Sequence, residues 1–249
     1  MSLRNGRTHF FHADATALGG QLERPFAKNI PVQSPTSLPP VGGEAEAANP
    51  SFEFLDVLSA KATRTRVEGN FLGGLATTRM TSVVEGLNVL NTVRAEQLVA
   101  YISSEHPGQE PNVPRISFGR TSITDLRIGD SVLKVQLDLD LLNNGNGKRF
   151  PDTHHVWDKN LWKRIGKRFE ERGFLKCSLV KKIEVKGRLP GKQVAPNVFE
   201  IPDFGRLHVA ELLVRHGSYQ LVMLRFELGC ANQGTLSASA GKVNGGGGP

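Results

Sequence analysis

The residues best suited to chemistry are the cations between His154 and Lys192. Twelve Lys or Arg against four Asp or Glu give this segment a formal charge of +8, in a chain whose total is +7. A basic segment attracts phosphates, sulfates or an acidic protein surface, although many such segments are ordinary solvated surface. We predict binding of an anionic polymer, nucleic acid or acidic glycan, at Lys159, Lys163, Arg164, Lys167, Arg168, Lys181 and Lys182.

Two pairs of side chains have the types and spacing for acid–base chemistry. His12 and Asp14 point to the same side of an extended chain, and so do Asp138 and Asp140. Either pair supports the hypothesis of a hydrolase or lyase. Solvated surface groups explain both pairs equally well, and a metal site needs three or four converging ligands. We therefore predict no catalytic residue, no metal site and no cofactor, and the interpretation leans away from an enzyme.

Familiar catalytic and nucleotide-binding motifs do not occur in the sequence. Residues 187–193 (GRLPGKQ) come near a P-loop, but they are one residue too short and lack the Ser or Thr that meets magnesium. The sequence contains no Gly-x-Gly-x-x-Gly, no Gly-x-Ser-x-Gly and no His-Glu-x-x-His.

Glu211 and the two cysteines lie within apolar patterns. Glu211 stands within an apolar run, and a bulge that turns it outward is the simplest explanation. A raised pKa would instead make it a functional candidate. Cys177 and Cys230 each continue an alternating apolar face, which favours buried thiols. They can form a disulfide only if their two strands pair.

Strands must position most of these residues. Apolar side chains alternate with polar ones over residues 133–141, which predicts a half-buried strand. Residues 158–172 favour an amphipathic helix, with Asp158 as N-cap and Gly173 as the stop. We predict a mainly β fold, an antiparallel β-sandwich-like domain with one inserted amphipathic helix.

Three regions follow from composition. Residues 1–50 are predicted as an N-terminal strand and a Pro/Gly-rich arm, because proline cannot donate to a sheet ladder. Residues 51–231 form the β-rich domain, with its helix near 158–172. Residues 232–249 are predicted as a flexible Gly-rich tail.

A faint repeat occurs at an offset of 39 residues. The apolar residues around Gly86 align with those around Asp125, and both positions suit a turn. A duplicated hairpin inside a sandwich explains the repeat as well as a solenoid, which usually needs three or more copies.

Composition bounds the class of protein. With 39% hydrophobic and 22% charged residues, the 249-residue chain can bury a core. It has no apolar run of membrane-span length and no N-terminal signal-peptide pattern, so we expect a cytoplasmic protein, with export by a signal-less route as the alternative.

Several stretches resemble an uncharacterised family of strand-rich bacterial proteins of similar length. The resemblance covers over half of the chain, and the basic helical segment matches least well. It implies no activity and no catalytic residue. The stretches are HADATALGGQLERPF with IPVQSPTSLPPVGG (12–43), VVEGLNVLNTVRAEQLVAYISSEHP (83–107), ITDLRIGD (123–130), and FEIPDFGRLHVAELLV with LVMLRFELGC (199–230).

The first functional hypothesis is a non-enzymatic structural or interaction protein. It would self-associate into a homo-oligomer through β-rich surfaces and an extended arm, since many strands leave edges to cover. The alternatives are the anionic-polymer binding module at residues 154–192, and the hydrolase or lyase.

Overall fold

Strands dominate this chain because apolar and polar side chains alternate along most of it. The computed structural model describes residues 9–107, 113–143, 150–165, 173–229 and 232–244. In chain order, the strands of these residues are β1 (Ala13–Arg24), β2 (Lys28–Gln33), β3 (Thr36–Ser37), β4 (Gly43–Asn49), β5 (Phe52–Phe54), β6 (Leu58–Ala60), β7 (Ala62–Leu72), β8 (Leu75–Val89), β9 (Val93–His106), β10 (Arg115–Ser117), β11 (Ser122–Thr124), β12 (Leu126–Ile128), β13 (Ser131–Leu137), β14 (Phe174–Ser178), β15 (Val180–Lys186), β16 (Lys192–Ala195), β17 (Val198–Ile201), β18 (Gly205–Arg215), β19 (Ser218–Leu228) and β20 (Gln233–Asn244).

The described strands form two antiparallel sheets. Sheet A has the order β16-β17-β18-β19-β20-β1-β2, with β14 added to β18 and β3 added to β1. Sheet B has the order β15-β13-β12-β9-β8-β6-β5, with β7 also paired to β8, β4 to β7, and β10 and β11 to β9. The central strands β1, β19 and β20 pack on β7, β8 and β9. The predicted antiparallel sandwich is confirmed.

Large apolar side chains fill the space between the sheets. Met80, Leu98 and Ile102 from sheet B are fully buried, as are Leu221 and Phe226 from sheet A. Burial of each such side chain stabilises the fold by about 1.5–3 kcal/mol. The apolar core therefore holds the two sheets together.

A transverse line of irregular residues crosses sheet A, and we call it the sheet A crease (Ala17, Ser239, Met223 and Ala210). Along each of the four strands every second side chain is buried, and this alternation shifts by one residue at the crease, so that odd-numbered positions are buried on one side of it and even-numbered positions on the other. The pairing register continues unchanged on both sides of it. Ser239 and Ala210 have positive φ angles of 53° and 47°, which permit the switch.

Sheet B contains a matching sheet B crease (Lys61, Gly86, Glu96 and Asp125). The alternation of buried and exposed side chains again shifts by one residue at this line, while the pairing register between neighbouring strands is the same on both sides of it. Gly86 and Asp125 have φ angles of 60° and 46°. These are the two turn-compatible positions of the repeat at an offset of 39 residues. The repeat therefore marks two strands that bend at the same line of the sheet.

The hydroxyl groups of two serines join the sheets by binding backbone groups of the opposite sheet. The Ser239 hydroxyl accepts a hydrogen bond from the Ala100 N–H at 2.9 Å and donates one to the Ser82 carbonyl at 2.8 Å. The Ser82 hydroxyl donates to the Thr16 carbonyl at 3.0 Å. Both bonds of Ser239 are buried, where an unpaired backbone group is costly, and the Ser82 bond is partly buried. The sheet A crease is thus fixed to sheet B by hydrogen bonds as well as by packing.

The predicted flexible tail was wrong for residues 233–244. These residues form β20, between β19 and β1 near the middle of sheet A. Small residues suit this strand because the sheets approach closely: a Cβ on Gly241 would lie only 2.4 Å from the Met80 Sδ. Residues 245–249 lie outside the described part of the chain.

The Pro/Gly-rich stretch lies within the sandwich rather than outside it. Residues 28–49 contribute β2, β3 and β4, which pair with β1 and β7. Ile30 and Leu38 are buried in the core. Pro31 lies on the edge strand β2, where a missing N–H is tolerated. The expectation of an extended arm therefore needs correction.

The chain passes from one sheet to the other at Leu179. Its N–H donates to the Ala210 carbonyl in sheet A, and its carbonyl accepts from the Asp138 N–H beside sheet B. The edge strands β14 and β15 are consequently one extended segment that closes this side of the sandwich.

The described helix is α1 (Lys159–Arg164), which follows a 3-10 turn at His155–Trp157. As predicted, Asp158 caps it: the carboxylate accepts from the N–H groups of Asn160 and Leu161 at 2.8 and 3.2 Å. Residues 166–172, the rest of the predicted helix, lie outside the described residues. No helix in the described ranges is long and apolar enough to cross a membrane.

A buried histidine anchors the segment before the helix. His155 Nε2 lies 3.1 Å from the Leu142 carbonyl, so it carries the proton and donates. Nδ1, 2.6 Å from the Tyr219 hydroxyl, is then the acceptor. Burial lowers the pKa of His155 to about 4, only partly offset by the bond to Leu142. Burial also raises the pKa of Tyr219.

We predict that Ser239→Ala lowers the free energy of unfolding by about 1–3 kcal/mol, because it removes the hydroxyl that bridges two buried backbone groups. Urea unfolding followed by circular dichroism measures the change. Ser237→Ala, two positions away and half-buried on the other side of β20, is the matched control and should change stability by less than about 0.5 kcal/mol. Equal effects of the two substitutions would contradict the bridging role.

We predict that acid destabilises the fold through His155. Its pKa is lower in the folded state, so stability is full above the unfolded value near 6.5 and is lost as pH falls toward 4, by about 3 kcal/mol. His155→Gln should unfold more easily at neutral pH but show a shallower decline between these pH values. Urea unfolding at a series of pH values tests this, and parallel pH curves for the two proteins would refute it.

Candidate functional site

The predicted anion-binding residues of the helix lie on its exposed surface. Lys159 and Lys163 are exposed on α1. The Arg164 guanidinium turns back and donates to the Leu141 carbonyl at 2.6 Å, so it is partly used in holding the preceding loop. Lys167 and Arg168 lie outside the described residues.

The other two predicted cations lie on β15, an edge strand of sheet B. Lys181 falls where the register between β13 and β15 shifts, and Lys182 forms a 2.6 Å ion pair with Glu184. The structure adds Lys134 of β13 to this surface. Its ammonium group lowers the pKa of Lys186, because two like charges stand close together.

An acidic strand bounds the opposite side of sheet B. Strand β4 carries Glu44 and Glu46 and no cation. Glu44 lies 2.8 Å from Arg66 and Glu46 lies 2.5 Å from Arg64, both on the neighbouring strand β7. These carboxylates remain largely exposed, with 70% and 40% of their side-chain surface in solvent. Strand β4 of sheet B is therefore acidic in its own residues, with each glutamate paired to an arginine of β7, whereas the edge strand β15 carries an excess of lysines.

A polar groove of about 1020 Å³ lies over the sheet B crease on the outer face. Polar lining groups bind one another: Arg127 forms a 2.9 Å ion pair with Asp125, and the Gln97 amide donates to Glu85 at 3.5 Å. Gly86 gives the Lys61 side chain room to cross the strand, since a Cβ there would lie 2.5 Å from its Cγ. The groove mixes both signs of charge, which suits a polar ligand but selects no chemical class.

Glu211 belongs to a charge cluster on the outer face of sheet A. Arg225 binds it at 2.5 and 3.1 Å, Lys176 at 2.9 Å and His208 at 3.3 Å. Burial raises the pKa of Glu211, but hydrogen bonds from His208, Arg225 and Lys176 lower it by more. The predicted outward turn is present at Ala210, as part of a crease shared by four strands. A lowered pKa indicates a structural carboxylate and not a general acid.

The two predicted acid–base pairs lie in different settings. His12 and Asp14 form a 3.1 Å surface pair, and Ser37 also donates to Asp14 at 2.7 Å. Asp138 and Asp140 do not share a strand face, because β13 ends at Leu137; the Asp138 carboxylate instead accepts from the Asp140 N–H in a turn. This turn replaces the end of the strand predicted over 133–141. No group of three potential metal ligands occurs among the described residues.

Aromatic groups cluster beside the helix. Trp157 is exposed, and its ring centroid lies 5.4 Å from that of His154 and 5.1 Å from that of His216. Burial, and then the nearby His216, lower the pKa of His154. The Trp162 indole donates to the Val156 carbonyl at 3.0 Å and packs on the core. Of the two tryptophans, Trp157 is therefore the exposed one.

Of the two cysteines, Cys177 lies in the described part of the chain. Cys177 is half-buried on β14 and packs against the core. Cys230 lies outside the described residues, and the predicted conditional disulfide between Cys177 and Cys230 therefore falls outside them too.

Sequence reasoning missed Lys134 and the acidic strand β4. The alternation of residues 133–137 shows that Lys134 faces outward, but its proximity to Lys186 depends on the pairing of β13 with β15. Strand β4 is rich in Glu and Ala, which are poor strand formers, so local propensity concealed it.

Comparison with known proteins gives a family but no function. No curated protein and no solved structure matches the chain. The family described as "Domain of unknown function (DUF8256)" matches residues 9–165 and 146–215. These spans cover most of the chain, and the two-sheet architecture lies largely within them. The protein therefore belongs to the DUF8256 family.

Proposed function

We propose that this protein is a non-enzymatic structural or interaction protein that self-associates through its β-rich surfaces. The observation that carries the proposal is the state of the sheet edges. In the described part of the chain, β2 and β16 end sheet A, and β4 and β15 flank sheet B, each with a strand on one side only. An edge strand presents N–H and C=O groups to a further strand.

Exposed apolar side chains accompany these edges. Val32 on β2 is 54% exposed, Val194 on β16 is 46% exposed and Val185 on β15 is 37% exposed. Apolar groups on open edges favour contact with another protein surface. The proposal rests on the strands and not on an arm, because residues 28–49 pair within their own sandwich. The resemblance to strand-rich bacterial proteins is our basis for proposing a bacterial source.

The charged groups of the described residues support a structural role. Glu211 is held as a carboxylate by hydrogen bonds from His208, Arg225 and Lys176, and Asp138 closes a turn. The His12–Asp14 pair lies on the surface. Because these contacts explain the pairs locally, the hydrolase or lyase hypothesis gains no supporting observation.

We expect purified protein to associate as its concentration rises. Light scattering after size exclusion and sedimentation velocity measure the mass, and negative-stain microscopy shows the particle. The fraction in oligomers should grow with concentration and persist at moderate salt, because backbone pairing and apolar contact are screened little. A strictly monomeric protein at every accessible concentration would overturn the proposal.

The second candidate function is binding of an anionic polymer. The closeness of Lys134 and Lys186 favours it, because two like charges on one exposed face are relieved by a phosphate or sulfate between them. Lys159, Lys163, Arg164, Lys181 and Lys182 are the proposed site residues, together with Lys167 and Arg168.

We predict that heparin or single-stranded DNA binds this surface with an affinity that falls steeply with salt. Fluorescence anisotropy with labelled polymer measures it. Lys134→Glu with Lys186→Glu should weaken binding more than about tenfold, whereas Lys28→Glu on the edge of sheet A should leave it nearly unchanged. Charge reversal at Lys163 and Arg164 measures how much the helix contributes to the binding affinity. Equal weakening by the Lys28 control would indicate diffuse charge attraction and contradict a site.

A further inference from the structure

Two edge strands of sheet B, β4 and β15, match one another in length and oppose one another in the charge of their own residues. Strands β4 and β15 each contain seven residues. Strand β4 carries two glutamates and no cation, while β15 carries three lysines and one glutamate. Within the described residues, β4 pairs with β7 and β15 pairs with β13, so each offers its other side to a further strand.

Pairing of like edges is unfavourable. Lysines on an edge strand are a known obstacle to edge-to-edge association, because two basic edges repel. The three lysines of β15 therefore disfavour a β15–β15 contact, and Glu44 and Glu46 disfavour a β4–β4 contact. The same charges favour the mixed contact, since cross-strand pairs of opposite charge stabilise a sheet.

The edges of sheet A are less suited to pairing. Strand β2 contains Pro31, which lacks the N–H that a ladder requires. Strand β16 has four residues and an irregular register between Gln193 and Ala195. Both strands carry a lysine, Lys28 and Lys192, so their contact would bring like charges together.

We propose that copies of this chain associate head to tail through sheet B, with the acidic strand β4 of one copy paired to the basic strand β15 of the next. The proposal rests on the self-association proposed above and names its surfaces. The shared sheet would continue from copy to copy.

One antiparallel register places opposite charges face to face and avoids contacts between like charges. With Glu46 opposite Lys186, Ala48 stands opposite Glu184, so like charges do not face each other directly. On the other face of the strands, Ala47 then stands opposite the exposed Val185. The small alanine leaves room for the valine, and their contact removes apolar surface from water.

The geometry of the assembly follows from the contact. Because β4 and β15 are different surfaces of one chain, the interface is heterologous, and every bound copy still offers one free edge of each kind. Such contacts produce a ring if the rotation closes and an open filament if it does not.

Charge reversal on each edge tests the proposal. The first variant combines Glu44→Lys with Glu46→Lys, and the second combines Lys182→Glu with Lys186→Glu. Each variant alone has two edges of like sign, so we expect its self-association constant to fall more than about tenfold relative to the native chain. An equimolar mixture of the two should recover assembly, because each edge again meets its opposite. Sedimentation velocity measures all four samples, and circular dichroism confirms that each variant is folded.

A matched control reverses charge on the other sheet. Lys28→Glu with Lys192→Glu changes both edges of sheet A and should leave the native association unchanged. If the Glu44 and Glu46 variant fails to fold, the second variant and this control together decide the question: an equal effect of both overturns the proposed contact.

The outcomes separate the two proposals. If the native chain stays monomeric, both the proposed function and this contact are wrong. If it assembles but the reversed variants assemble equally well, or if their mixture does not recover, the β4–β15 contact alone is wrong. If heparin dissolves the assembly, as a competitor for β15 should, the basic edge is part of the contact; assembly that ignores bound heparin counts against it.

Discussion

The fold depends on a constraint that neighbouring strands must satisfy together. A strand that changes the face it buries at one residue loses its register with a straight neighbour, because side chains alternate with a period of two. In sheet A, four adjacent strands change at the same line, and the pairs on either side stay in register. Left-handed residues at Ala210 and Ser239 permit the change. The Ser239 hydroxyl then ties this line to the backbone of sheet B.

This constraint explains where the polar chemistry of the protein lies. Between the sheets, the central strands offer mostly apolar side chains and backbone-binding serines. The charged side chains are left to the outer faces, where they form local networks such as the one around Glu211. At two edges of sheet B the outermost strand itself carries mainly one sign of charge, with glutamates on β4 and lysines on β15. Charge of a single sign is thus concentrated on the edge strands β4 and β15.

The sequence predicted the features that follow from local pattern. Alternation predicted the sandwich, the side-chain rule for N-caps predicted Asp158, and the polar interruption at Glu211 predicted an outward turn. The repeat around Gly86 and Asp125 predicted turns at both positions, whereas Gly86 lies inside the continuous strand β8 and marks a bend in it. These features depend on residues close together in the chain, which is why pattern alone was sufficient.

Features that depend on distant partners could not be predicted in this way. Strand β20 has a glycine at position 241 because Met80 of the other sheet leaves no room for a Cβ there. The proline-rich segment pairs with β1 and β7, although its composition suggested an arm. For the candidate site, sequence found the lysines of β15 but not their neighbour Lys134 nor the acidic edge opposite. Each of these needs the order of strands in the sheet, which no local pattern records.

The passage of the chain at Leu179 has a mechanical consequence. This residue bonds Ala210 on one side and Asp138 on the other, and it joins β14 to β15 without a loop. A force applied along β15 therefore passes directly into β14 and the line of left-handed residues beyond it. A load on this edge of the sandwich is therefore shared by both sheets, because the segment is hydrogen-bonded to each of them and resists sliding of one sheet past the other.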